Sequence, residues 1–251
     1  MSRLFIGTSG WVYSDWKGIF YPVELSASER LRYYSQYFNT TEINYSFYHL
    51  PQPRTYQQWY SQTPTDFIFA VKANRFITHI KRLKGAKESW RKFIGSTSLL
   101  KEKLGPILFQ FSSSFKADKT NIRRLTDFLK YISEKPLLNS PKLRYAFEFR
   151  NESWCDEKIY DLLKKYNAGW VISDSPSFPK VEIITSDFVY LRMHGSEILF
   201  VSKYSDEELK ILAQKIKNWL KKNLMIYCYF NNDFSGHAIE NAKSLLNFVS
   251  C

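Results

Sequence analysis

Nine polar side chains lie in, or just beyond, short and mostly apolar runs: Glu42, Lys72, Gln110, Glu148, Arg150, Asp174, Arg192, His194 and Asn231. Carboxylates and imidazole are the groups that move protons or ligate divalent metals, whereas Lys and Arg hold anions, Arg as a bidentate fork and Lys as a point charge. Glu148 and His194 are the best acid/base candidates, with Lys72 or Arg192 placed to stabilise developing negative charge. Glu42 and Asp174 complete a catalytic set of Glu42, Lys72, Glu148, Asp174 and His194.

Two chemistries compete for this set. A divalent metal would draw on Glu42, Glu148, Asp174 and His194, with His79 as a further donor. Against it, Lys72, Arg150 and Arg192 share the same faces, and so many cations would repel a metal while neutralising the carboxylates. They favour an anionic ligand instead, so a metal is open but not favoured and the cofactor is unspecified. Thr8, Asn44, Arg75, Gln110, Asn231 and Asn232 border the same strand ends as ligand-binding candidates. Phosphate would suit the loops after the last two strands, His194-Gly195-Ser196 and Asn232-Asp233-Phe234-Ser235-Gly236, the second running into a helix N-terminus; an ordinary helix cap at Ser235 explains that loop equally well. Trp11, Tyr13, Trp16, Tyr21 and Tyr48 follow the first two strands, either as rings that stack on a base or sugar or as a packed lid. Glu42 and Glu148 lie on strands three places apart, which argues against the ~5 Å carboxyl pair of a retaining glycosidase. No G-x-S-x-G elbow marks a serine hydrolase.

The elements that must position these groups are eight candidate strands: Leu4 to Thr8, Thr41 to Asn44, Phe67 to Lys72, Ile107 to Phe111, Tyr145 to Phe149, Gly169 to Ser173, Phe188 to Met193 and Met225 to Phe230. Amphipathic segments alternate with them, the pattern of parallel strands with crossover helices. Ser205-Asp206-Glu207-Glu208 is a capping box that opens a helix with an apolar stripe at Leu209, Leu212, Ile216 and Leu220; the last helix carries Ile239, Ala242, Leu245, Leu246 and Val249. Residues two apart on a strand share a face. Phe147 and Phe149 therefore oppose Ala146, Glu148 and Arg150, while Tyr190, Arg192 and His194 align, as do Ile172 with Asp174 and Tyr229 with Asn231 and Asp233. In every case the polar member is at the C-terminal end, the end that carries chemistry in a TIM barrel. The first turn, Gly7-Thr8-Ser9-Gly10-Trp11, lacks the third glycine of a Rossmann fingerprint, and 251 residues match the ~250 of a (β/α)8 barrel, so one barrel domain over residues 1–251 is expected.

Lys and Arg number 36 against 24 Asp and Glu, a formal charge of +12 that favours an anionic small molecule or nucleic acid as partner, although runs such as Lys81 to Lys103 and Lys210 to Lys222 read equally as solvated helix faces. Cys155, Cys228 and Cys251 are odd in number and far apart, so reduced thiols in a cytoplasmic setting fit better than a disulfide framework. The N-terminus has too short an apolar run for a signal peptide, and no stretch approaches the ~18 apolar residues of a membrane span. Oligomeric state is not legible.

Several segments resemble the YecE-like family, a domain of unknown function (family 72). They are Gly7-Thr8-Ser9-Gly10-Trp11 with Tyr13 and Trp16, Phe38 to Asn44 with Phe47-Tyr48, Phe69-Ala70-Val71-Lys72, Ile77-Thr78-His79, Leu108-Phe109-Gln110, Glu148-Phe149-Arg150, Ser173-Asp174-Ser175-Pro176, Arg192 with His194-Gly195, and Tyr229 to Asp233. The stretch Phe111-Ser112-Ser113-Ser114-Phe115 departs from the prolines of the family pattern. The resemblance implies a TIM barrel and no established reaction; endonuclease IV and xylose isomerase, with carboxylates and histidines at strand tips, are analogies of fold. Together these readings point to an enzyme acting on a phosphorylated, nucleotide-like or nucleic-acid substrate by acid/base or metal-assisted hydrolysis or isomerisation, or else to a non-catalytic polyanion-binding module.

Overall fold

The computed structural model describes residues 3–134 and 143–250. The expected limits of 1–251 therefore include positions, Cys251 among them, outside the described residues. The strands are β1 (Leu4–Thr8), β2 (Thr40–Ile43), β3 (Ile68–Lys72), β4 (Leu104–Gln110), β5 (Tyr145–Glu148), β6 (Gly169–Asp174), β7 (Phe188–Met193) and β8 (Met225–Phe230). The α-helices are α1 (Arg30–Tyr34), α2 (Tyr45–Tyr48), α3 (Pro53–Gln62), α4 (Lys87–Thr97), α5 (Lys119–Glu134), α6 (Glu157–Lys165), α7 (Asp206–Lys221) and α8 (His237–Ser250). All ladders are parallel, in the order β1-β8-β7-β6-β5-β4-β3-β2, and β1 and β2 meet to give a nearly closed (β/α)8 TIM barrel.

On β3, β4 and β5 the smaller side chains turn inward, whereas on β7 and β8 the inward face carries Phe188, Tyr190, Tyr227 and Tyr229. Ala70, Leu108, Ala146, Val171 and Tyr190 pack together inside the barrel, while Phe69, Phe109 and Phe147 join the larger layer beneath the helices. Phe109 stacks on Phe147 at 5.0 Å, Phe111 on Phe149 at 5.3 Å and Phe149 on Trp154 at 4.4 Å. This aromatic column fixes the outer parity of β4 and β5, and so aims the intervening Gln110, Glu148 and Arg150 at the mouth.

The β1–β2 seam is closed by side chains. The Tyr34 hydroxyl accepts from Thr8 N–H at 2.9 Å and donates to the Thr40 carbonyl at 3.1 Å. Thr41 Oγ1 donates to the Thr8 carbonyl at 3.1 Å, and Asn39 Nδ2 to that of Leu4 at 3.1 Å. Gly7 permits the approach, since a Cβ there would lie 2.3 Å from the Thr40 carbonyl oxygen.

The capping box forms at α7, with Ser205 Oγ accepting from Glu208 N–H at 3.2 Å and the Glu208 carboxylate accepting from Ser205 N–H at 2.8 Å. Leu209 and Ile216 on α7 and Ile239, Ala242 and Leu245 on α8 are buried as their spacing implies. One lysine departs from the solvated-face reading. Lys103 is buried, and its ammonium donates to the carbonyls of Tyr60 at 2.6 Å and Thr63 at 2.7 Å, capping the C-terminal end of α3.

Candidate functional site

Arg192, on the inward face of β7, is 1% exposed and organises the floor of the mouth. Its guanidinium holds Glu42 through Nε at 3.0 Å and Nη2 at 2.8 Å, Glu148 through Nη1 at 2.7 Å, and Asn231 Oδ1 through Nη2 at 2.9 Å. Glu42 also accepts from the Ser9 hydroxyl and, at 2.7 Å, from Tyr190; Glu148 accepts from Arg150 Nε at 2.7 Å. Burial alone would oppose ionisation of Glu148, but Arg192 and Arg150 hold its carboxyl well below the usual range. Removing the guanidinium would strip Glu42 of its ion pair and leave Glu148 with Arg150 alone, a loss of about 3–5 kcal/mol. Arg192 is therefore an anchor of the site first. Ser9 and Tyr190 belong to this floor although the sequence reading passed them over. Parity was the available signal, because Tyr190 shares the Arg192 face and Ser9 continues the inward face of Phe5 and Gly7.

Above this floor opens a cavity of about 790 Å³. Lys72, Arg75, Arg150 and Arg192 line it, and Asp233 is the sole acidic side chain on its described walls. Gln110, Asn44, Asn231, Tyr13, Tyr48 and His79 also reach it, so most of the candidates do converge. Ser112 and Ser113, from the segment that departs from the family pattern, form part of the rim; that segment closes with a turn in which Phe115 N–H donates to the Ser112 carbonyl at 3.0 Å.

Of the wall groups whose protonation is displaced, Lys72, Asp233 and His79 are the ones moved towards or below neutrality. Lys72 sits 4.2 Å from the centroid of the Phe47 ring, and among the described residues no hydrogen bond or ion pair holds its ammonium. Burial, followed by the Arg192 charge, pushes it down to about 7, against the opposing pull of Glu148 and Glu42. Asp233 Oδ2 accepts from Asn231 Nδ2 at 3.1 Å, while Oδ1 is buried without a partner. Burial raises this carboxyl to about 7, outweighing Arg192 and Asn231, which favour the charged form. The neighbouring Tyr13 hydroxyl commits its proton to the Ser9 carbonyl, so towards Asp233 it offers only lone pairs, and a protonated Asp233 suits that contact. His79, presented by a π-helical turn over Phe76–Ile80, is brought down to about 4 by burial and then by Lys72, and is neutral near pH 7.

Other candidates lie elsewhere. Asp174 shares the helix-facing side of β6 with Ile172 and is ion-paired to Lys180 at 2.7 Å. His194 is fully buried, edge-on to Phe178 and Phe200; both of those rings line the cavity, while neither imidazole nitrogen has a partner. Burial keeps it neutral, well below its ordinary value. Thr8 belongs to the seam, and Asn232 is buried, donating to Ser202 O and Asn241 Oδ1, each at 2.9 Å. Trp16 and Tyr21 are core residues at 0% and 1% exposure, whereas Tyr48 is 62% exposed and Trp11 lines a neighbouring cavity. One amide in each loop considered for phosphate is occupied: Ser235 N–H donates to the Asp15 carboxylate at 3.0 Å and Gly195 N–H to the Tyr204 hydroxyl at 2.9 Å. The side chains considered for a metal do not fit one. Glu42 and Glu148 are held by Arg192, Asp174 stands apart, and among the described residues no group of three or more His, Cys, Asp or Glu is placed to hold an ion.

Comparison with known proteins adds kinship. A family model described as "Protein of unknown function DUF72" matches residues 5–250. The UPF0759 protein YunF of Bacillus subtilis (strain 168) is 26% identical over 277 residues, spanning 98% of this chain and 94% of that one. The crystal structure of a DUF72 family protein from Thermotoga maritima MSB8 superposes with a TM-score of 0.83 at 31% identity, covering 99% of each chain. That of a DUF72 family protein from Enterococcus faecalis V583 gives 0.82 at 19% identity, over 99% of this chain and 96% of that one, a likeness of fold alone.

Proposed function

This chain belongs to the DUF72 family, and from the site it carries we propose that it is an enzyme acting on an anionic, phosphorylated or nucleotide-like substrate by acid/base chemistry at the C-terminal strand tips. The observation that carries this reading is the charge balance of the mouth. Lys72, Arg75, Arg150 and Arg192 line one cavity whose only described acidic wall residue is Asp233; the floor carboxylates Glu42 and Glu148 are balanced by Arg192 and Arg150 together, which leaves Lys72 and Arg75 as cations with no carboxylate partner among the described residues. A cavity of about 790 Å³ lies in the range of small-molecule sites, which supports a discrete substrate over a polymer-binding module.

The chemistry follows from two groups near neutrality. Burial brings Lys72 down and Asp233 up to about 7, so both forms of each group are accessible near neutral pH. One can take a proton while the other returns one, as water activation in hydrolysis or proton relocation in isomerisation requires. Arg150 and Arg75 would hold the anionic group, and Arg150 is pre-oriented by its ion pair with Glu148 and by stacking at 3.9 Å over Phe178.

Ligand-dependent melting tests this. Inorganic phosphate and ribose 5-phosphate at a hundredfold excess over Kd should raise Tm by roughly 5–10 °C for a domain of this size, whereas neutral ribose should not. Arg150→Ala and Arg75→Ala should each diminish the shift. Equal responses to ribose and its phosphate, or undiminished shifts in both variants, would remove the anion site.

A further inference from the structure

Beside the cationic cavity, and sharing Tyr13, Asn44 and Tyr48 with it, lies a second cavity of about 630 Å³ between the tips of β1 and β2 and helix α3. Among the described residues no Asp, Glu, Lys, Arg or His lines it. Trp59 on α3 stands edge-on to Trp11 at 5.3 Å and to Tyr56 at 5.4 Å, so packing fixes its indole. Tyr45, on the short helix α2, is 57% exposed and lines the cavity, so its ring face is free to meet a ligand. The remaining chemistry is that of neutral amides. Gln62 Nε2 donates to the Ser28 carbonyl at 3.1 Å, leaving its oxygen to accept, and Gln58 lies one turn earlier on α3. On the shared wall, Asn44 Nδ2 donates to Ser9 Oγ at 2.6 Å while its Oδ1 has no donor.

A phosphate gains nothing from such a wall, whereas a flat ring gains stacking on the aromatics and amide partners for its nitrogen and oxygen edges. A sugar ring, puckered and rimmed with hydroxyls, matches it less well. We infer that the second cavity receives the uncharged heteroaromatic ring of the same ligand whose anionic group the first cavity holds, and that the ligand is a nucleoside monophosphate unit. This rests on the anionic-substrate reading and deepens it. The unit has the same chemistry whether it is a free nucleotide or one residue of a single strand.

Titration calorimetry of the intact protein at fixed salt and pH tests the assignment with inorganic phosphate, ribose 5-phosphate, AMP, UMP and a 5′-phosphorylated thymidine trinucleotide. AMP or UMP should bind at least tenfold more tightly than ribose 5-phosphate. Tyr45→Ala/Gln58→Ala, which changes two exposed side chains, should remove at least fivefold of that advantage and leave ribose 5-phosphate unaffected. A trinucleotide no tighter than the mononucleotides supports the free form; a tighter one with the same sensitivity to the double substitution supports the unit within a strand. Equal binding of ribose 5-phosphate and both nucleotides overturns the ring site, as does an advantage that survives the double substitution. If neither phosphate nor any phosphate ester binds, the anionic-substrate reading has failed; if phosphate binds and the nucleotides gain nothing, only the ring site has.

Discussion

Lys72 and Asp233 change charge over the same pH interval and in the same electrical direction, since one loses a positive charge and the other gains a negative one as pH rises through about 7. Sulfate, whose own charge is constant over this range, isolates the effect. Its affinity should fall on the order of tenfold or more between pH 6 and pH 8, and Lys72→Met or Asp233→Asn should each flatten the profile. A pH-independent sulfate affinity would refute the assignment. The stability consequence of Asp233 has a definite sign. Its carboxyl is raised from an ordinary 3.8 to about 7, so the stability it confers is fully present below about 4 and is lost as pH climbs through 7. Asp233→Asn should therefore match the parent near pH 4 and gain on the order of 1–3 kcal/mol at pH 8, read by denaturant unfolding at both pH values. At this scale bulk was informative on β3 to β5, where the smaller face turns inward, and misleading on β7 and β8, where the large rings do. Ala146 beside Phe147 settles which side of β5 enters the barrel, and Glu148 follows. On β6 the neighbours Val171 and Ile172 are alike, so parity linked Ile172 to Asp174 without saying that both look outward. The titration of Asp233 depends on how deeply its loop sinks, which no spacing records.

Strands and helices were legible where periodicity met a stop signal, as at the capping box of α7. β4 begins at Leu104, three residues before the expected start, because Gly105-Pro106 reads as a breaker and yet sits within the strand. The least legible element was the seam. Tyr34, Thr41 and Asn39 supply there what a ladder supplies elsewhere, and a buried tyrosine on a five-residue helix gives no sign of that task. Tyr34→Phe should orphan the Thr8 amide and the Thr40 carbonyl, lowering stability by about 1–3 kcal/mol and Tm by roughly 2–10 °C in a scan of the purified protein. Gly7→Ala should cost more, because its methyl would meet the backbone of β2. A Tyr34→Phe protein that melts with the parent would mean that water or a shift of the strands serves the seam as well.

For the molecule as a whole, eight strands alternating with helices over 251 residues sufficed to expect the barrel, and the described helices include none long and apolar enough to cross a membrane. The net charge of +12 was a weaker guide, since the cations that matter are the few that line the mouth. The side-chain seam also bears on how the barrel comes into being. β1 is made before the other strands, yet among the described residues its ladder partner is β8, about 220 residues later. Pairing between such distant segments has to wait for synthesis to deliver the last strand. Through most of translation the N-terminal strand is then an unsatisfied edge that only a chaperone or the nascent barrel's own side chains can shield. Ribosome-bound chains arrested after Leu224 should be cleaved by protease within residues 4–8, and chains extended through α8 and clear of the exit tunnel should resist; early protection would place barrel closure before the arrival of β8.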